Sequence, residues 1–175
     1  VSEPVPPAAP AAVSLVGARG SGKSTIGRLL AERLGRRFVD ADEQIARVAG
    51  RSIPEIFVLH GETAFRLLEA EVITALLEQD SIVLATGGGA VLSLESRQKL
   101  VAAGPVVYLE ADPATLHART AGDENRPPLT DLPAEEEMAA VLADREPLYR
   151  EVASVVVDAT AEPEAVVAAI LAGLS

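Results

Sequence analysis

Gly17-Ala18-Arg19-Gly20-Ser21-Gly22-Lys23-Ser24-Thr25 decides the fold, because each residue type in this stretch has a physical task. Glycines let backbone N–H groups turn inward around an anion without Cβ clashes. Lys23 brings positive charge to the β- and γ-phosphates of a nucleotide, and the Ser24 hydroxyl can ligate Mg²⁺. A helix opening directly behind the loop aims the positive end of its dipole at the same anion. The pattern G-x-x-x-x-G-K-[ST] is that of a phosphate-binding P-loop.

The flanks agree with the motif. Val13-Ser14-Leu15-Val16 is a short apolar run leading into Gly17. Behind the loop, Ile26, Leu29, Leu30 and Leu34 recur at helical spacing, and Gly35 stands where a C-terminal cap belongs. The chain has two lysines, and one of them occupies the required position. A glycine-rich strand-to-helix turn without a ligand is the bland alternative.

Working outward, apolar β-branched runs predict strands at Val13–Val16, Phe38–Asp40, Ile82–Thr86, Val106–Leu109 and Val155–Asp158. Helical patterns fall at Ser24–Leu34, Asp42–Ala49, from Ile53 with Pro54 near the start, and at Glu62–Gln79. More follow at Leu94–Ala103, Pro113–Arg119, Ala134–Arg150 and Pro163–Leu171. Strands alternating with helical segments, interrupted by the polar stretch 121–133, predict an α/β fold of P-loop NTPase type, with a central five-stranded parallel sheet between two helical layers. Residues 1–12 are expected to form a disordered Pro/Ala tail and residues 13–175 a single domain. The start of the chain lacks the basic and apolar regions of a signal peptide.

Composition narrows the function. The 175 residues suffice for one substantial core, and 49% are hydrophobic. No cysteine is present, which excludes disulfides and thiolate metal sites and fits a reducing, cytoplasmic compartment. No apolar run reaches the length of a membrane span. A net charge of −11 argues against nucleic acid as a partner. Thirteen of the fifteen basic residues are arginine, and a polyanion site needs some of them close by.

Candidate chemistry lies beyond the strand ends, where open parallel sheets bind ligands. Asp40 and Asp42 follow the second strand. One could support Mg²⁺ and the other accept a proton from an alcohol, although Asp42 could equally cap the next helix. Thr86-Gly87-Gly88-Gly89 follows the third strand. It is either a tight turn or a close-approach loop whose N–H groups bind an anionic substrate. That strand end carries no acid, so Asp40 is the better magnesium support. Arg66 and Glu69, spaced i, i+3, form a surface ion pair or a carboxylate grip held in orientation. Residues 121–133, AGDENRPPLTDLP, read as a surface loop or a mobile lid, with Arg126 the only cation to meet a phosphate. Arg145 by itself reads as a solvated helix residue. His60 and His117 read as surface or packing residues without metal-ligand spacing.

In this order the segments GARGSGKST (17–25), DAD (40–42), FRLLE (65–69), TGGG (86–89), RPPL (126–129) and REPLYREVA (145–153) resemble the shikimate kinases. The resemblance covers about residues 13–173. It implies transfer of the ATP γ-phosphoryl group to the 3-hydroxyl of shikimate, on the route to chorismate and aromatic amino acids. Gly20, Ser21, Gly22, Lys23, Ser24 and Thr25 would hold the phosphates, with Ser24 and Asp40 around Mg²⁺. Asp42 would bind the hydroxyls and act as base. Arg66 and Arg145 would clamp the carboxylate, and Gly87, Gly88 and Gly89 would line the same pocket. Arg126 would meet the transferring group. Arg119 and Pro163 would flank adenine. Two departures stand out: the lid reads Arg-Pro-Pro-Leu rather than Arg-Pro-Leu, and Thr160-Ala161-Glu162-Pro163 lacks a basic residue sometimes found there. A monomer is expected, with ATP, Mg²⁺ and shikimate as its only partners. A gluconate-type or nucleotide kinase, or a non-catalytic nucleotide-binding module, are the alternatives.

Overall fold

The computed structural model describes residues 12–123 and 128–175. Five strands, β1 (Ala12–Val16), β2 (Arg37–Asp40), β3 (Ile82–Ala85), β4 (Val106–Glu110) and β5 (Val155–Asp158), form one sheet. All pair in parallel, in the order β2-β3-β1-β4-β5. Seven helices cover it: α1 (Lys23–Leu34), α2 (Ala41–Ala49), α3 (Ile53–Leu77), α4 (Leu94–Ala103), α5 (Pro113–Thr120), α6 (Ala134–Val152) and α7 (Pro163–Leu174). A 3₁₀ turn at Ala90–Leu92 was not expected from the sequence.

The period-2 alternation of a strand sorts β1 into two cores. Val13 and Leu15 join α1 and α7 through Leu30, Val167 and Ile170. Ala12 and Val16 join the other layer through Ile45, Phe65, Ile73, Leu100 and Tyr149. Both faces of β1, β3 and most of β4 are therefore buried, which explains why these strands read as nearly continuous apolar runs. Burying one Leu or Ile side chain this fully stabilises the fold by about 1.5–3 kcal/mol before entropy is counted.

Local chemistry sets the element ends. Gly35 and Gly50 take left-handed conformations, with φ of 62° and 63°, and their N–H groups return to the last carbonyls of α1 and α2. Ser52 and Glu55 form a reciprocal capping box at the start of α3, with Pro54 in its first turn. Asp112 caps α5. Gly61, at φ 79° and ψ 174°, breaks α3 into the two helical segments that the sequence pattern separates.

Most elements differ from expectation by one to three residues at an end, and three of these differences have a visible cause. β1 begins at Ala12, one residue earlier than expected and buried in the sheet opposite Ile82, while the rest of the expected tail, residues 1–11, lies outside the described residues. β3 ends at Ala85, although the Thr86 backbone and hydroxyl both still donate to Leu15 O. α6 runs on to Val152, because Val152 buries against the core two residues beyond the expected stop at Arg150.

Candidate active site

The phosphate loop leaves β1 at Val16 and enters α1 at Lys23. Gly20 has φ 84°, and a Cβ there would stand 2.8 Å from the Thr120 methyl carbon and 3.0 Å from Leu116 O. Glycine is thus required twice, by conformation and by the close passage of α5. Lys23 Nζ donates to Gly17 O at 2.7 Å and Ala18 O at 2.9 Å, folding its charge over the loop.

Next to Lys23, Ser24 Oγ donates to Asp40 Oδ2 at 2.6 Å. Asp40 Oδ1 accepts from the Asp42 N–H at 2.9 Å and the Glu43 N–H at 3.4 Å, so Asp40, and not Asp42, caps α2. The capping alternative for Asp42 is thereby corrected: Asp40 is the cap, and Asp42 is among the residues that line the adjoining space. Lys23, Ser24, Asp40, Asp42, Thr86 and Gly87 surround that space of about 250 Å³. A hydroxyl and a carboxylate in a polar recess suit Mg²⁺, which takes one or two protein oxygens and fills its shell with phosphate and water. Among the described residues no cluster of three or more acidic or histidine side chains forms a closed metal cage.

A second space of about 510 Å³ adjoins the first, and Phe57, Arg66, Gly88, Met138, Val141 and Arg145 are among the residues that line it. Gly88 and Arg19 face both spaces and so join them. Arg66, from the second segment of α3, donates through Nη1 to Glu69 Oε1 at 2.9 Å and lies over the Phe65 ring. The Glu69 side chain is only 3% exposed, and that of Arg66 is 18% exposed. The pair is therefore a largely buried device facing a cavity, not the exposed ion pair that spacing alone allows. Gly89 makes room for it, since a Cβ at that position would overlap the Arg66 guanidinium. Arg145 Nη1 lies 3.5 Å from where a Gly88 Cβ would be, so the solvated-helix reading of Arg145 is corrected.

Tyr149, four residues beyond Arg145 on α6, is fully buried and donates its hydroxyl to Gly88 O at 2.5 Å. Burial pushes its pKa up to about 12, opposed by the nearby Arg145 and Arg66 charges. Its ring stacks on Tyr108, with centroids 5.2 Å apart.

Arg119 on α5 donates to Ala159 O at 2.9 Å and to Gly20 O at 3.4 Å, tying the turn after β5 to the phosphate loop. Pro163 opens α7 in an exposed position, and neither it nor Arg119 lines the two spaces. Arg126 lies outside the described residues. Of the segment around it, Asp123 pairs with Arg19 at 2.8 Å, and Glu137 Oε1 accepts from Leu129 N and Thr130 N. Sequence reading missed Arg19, Phe57, His117 and Tyr149 as cavity or cavity-supporting residues. The one available signal was scarcity: the chain has two tyrosines and three phenylalanines.

The shikimate kinase family model matches residues 19–175. A shikimate kinase of Nitrosococcus oceani is 47% identical over 156 residues, covering 89% of this chain and 82% of that protein. One from Pseudomonas syringae pv. tomato is 49% identical over 162 residues, covering 92% and 94%. Among solved structures, the shikimate kinase of Acinetobacter baumannii in complex with shikimate superposes with a TM-score of 0.89 at 41% identity, covering 92% of this chain and 90% of that one. A gluconokinase from Sinorhizobium meliloti 1021 shares the fold, with a TM-score of 0.64 at 23% identity, covering 94% and 91%. The chain belongs to the shikimate kinase family, whose members are ATP-dependent small-molecule kinases.

Proposed function

We propose that this chain transfers the γ-phosphoryl group of ATP to the 3-hydroxyl of shikimate, giving shikimate 3-phosphate and ADP. The observation that carries the reading is the junction at Gly88. There a recess lined by Lys23 and Asp42 adjoins a larger space lined by Arg66 and Arg145, which supports the reading.

In this reading the Gly20–Thr25 backbone and Lys23 cradle the ATP phosphates, and Arg119 and Pro163 flank adenine. Arg66, oriented by Glu69, and Arg145 clamp the acceptor carboxylate, since a planar guanidinium matches a carboxylate by paired hydrogen bonds. Gly87, Gly88 and Gly89 let the acceptor approach the backbone closely. Asp42 orients the hydroxyl and takes its proton as the O–P bond forms and the bond to the β-phosphate oxygen breaks in line. ADP carries off the electron pair of that bond. Such a transfer needs little covalent help from protein, so positioning and charge neutralisation supply most of the acceleration. Ser24 directly, and Asp40 through water, would hold Mg²⁺, which supplies positive charge to the β- and γ-oxygens. Arg126, assigned from the sequence, would add a further positive charge at the transferring group.

The protein acts as a cytoplasmic monomer in this reading. No helix among the described residues is long and apolar enough to cross a membrane. Coupled ADP release, measured in parallel with shikimate, gluconate and AMP, tests the acceptor. Shikimate-dependent release well above the other two is expected. Equal or greater release with gluconate would replace the acceptor while keeping the kinase.

A further inference from the structure

Tyr149 has no part in the transfer as derived above, yet it touches the residue where the two spaces meet. Its hydroxyl is fully buried, where an unbonded phenol would be costly, and its hydrogen bond goes to Gly88 O. The buried Tyr108 ring on β4 holds the Tyr149 ring by stacking, so the hydroxyl is aimed from a packed support. The Gly88–Gly89 peptide is trans, so turning its carbonyl toward Tyr149 sends the Gly89 N–H the opposite way. Three consecutive glycines do not fix that orientation themselves. Gly88 also sits between the phosphate loop and α6: its Cβ position is 3.4 Å from Arg19 N and 3.5 Å from Arg145 Nη1. Arg97 secures the far end of the same loop by donating to Val91 O at 2.8 Å.

We propose that Tyr149 is a positioning residue for the acceptor: its hydroxyl sets the orientation of the Gly88 peptide, and with it the fit of the acceptor between the glycine loop and Arg145. The proposal rests on the acceptor reading given above. It assigns the hydroxyl mainly to the acceptor side, because Tyr149 lies one helical turn beyond Arg145 on α6.

Tyr149→Phe removes one oxygen atom and keeps the stacked ring. The shikimate KM is expected to rise roughly tenfold, the effect of one buried hydrogen bond. The KM for ATP at saturating shikimate should stay within about twofold, since no ATP contact changes. An unchanged shikimate KM overturns the proposal, as does an equal rise in both constants, which marks general loosening. Should Tyr149→Phe fail to fold, 4-aminophenylalanine at position 149 restores a donor on the same ring. Near-native shikimate KM in that protein supports the assignment, and a large rise overturns it. Wild-type protein that releases ADP without any dependence on shikimate would sink the acceptor reading instead, before any variant is compared.

Discussion

The Ser24 hydroxyl donates to the Asp40 carboxylate over 2.6 Å, joining the first turn of α1 to the end of β2. Asp40 has a second task, because its other oxygen caps α2. Asp40→Asn separates the two. The amide oxygen can still cap the helix, so unfolding stability should change by less than about 1 kcal/mol. The Mg²⁺ concentration for half-maximal ADP release should rise roughly tenfold, because the charge is gone. A magnesium titration that superposes on the wild type would remove Asp40 from the cation site.

Asp42 faces the phosphate recess with its side chain uncommitted to capping. Asp42→Asn should lower kcat by about 10²-fold or more, the usual size of a lost general base. ATP binding, read by calorimetry without acceptor, should stay within about threefold. Near-normal turnover would refute the base and hydroxyl-orienting role.

Arg66→Lys keeps the charge beside Glu69 but loses the planar fork. The shikimate KM should rise by about tenfold or more while the ATP KM is nearly unchanged. An unaltered shikimate KM would exclude Arg66 from the acceptor clamp.

Gly89 has φ −99° and ψ 4°, which other residues adopt, so Gly89→Ala meets no backbone penalty. Its Cβ would displace the flexible end of Arg66. The shikimate KM should rise about tenfold, and thermal unfolding should shift downward, because displacing Arg66 disturbs its pairing with the buried Glu69. Loss of the fold itself would show that this loop cannot yield around a methyl group.

Hydroxyl and amide hydrogen bonds from Thr115 hold the Asp112 carboxyl below its ordinary value of 3.8, and those from Thr160 do the same for Asp158. The Ser52 N–H and hydroxyl lower Glu55 from 4.5. A depressed folded pKa gives stability that is present above the unfolded value and lost as pH falls through the folded one. Urea unfolding should therefore show a falling midpoint from about pH 5 down to about pH 3. Asp112→Asn should shallow that slope, and an identical slope would remove Asp112 from the acid response.

Much of the frame was readable because its signals are local. Each strand is a short apolar run, and Gly35, Gly50 and Ser52 carry end signals that act within a few residues. The spacing of Gly17–Thr25 is itself the signal, although the shape of the loop also draws on α5 and Asp40. The acceptor half depends on contacts with no local signature. Tyr149 reaches Gly88 across 61 residues, and Arg19 reaches Asp123 across 104. Arg145 looked like a solvated helix position because its meaning comes from Gly88, on a different strand end. The clearance that Gly89 gives Arg66 is a property of packed volume, which residue order does not display.

β1 is the central strand, and neither of its partners is the next strand along the chain: it pairs with β3, beginning at Ile82, and β4, beginning at Val106. During synthesis the first strand thus emerges with no available neighbour, and closing those pairings carries a loop-entropy cost that slows folding. The loop it feeds can be held in shape only when most of the chain has left the ribosome. The end of the sheet that carries the phosphate loop is thus completed only by strands that lie 66 and 90 residues further along the chain than Val16, at Ile82 and Val106.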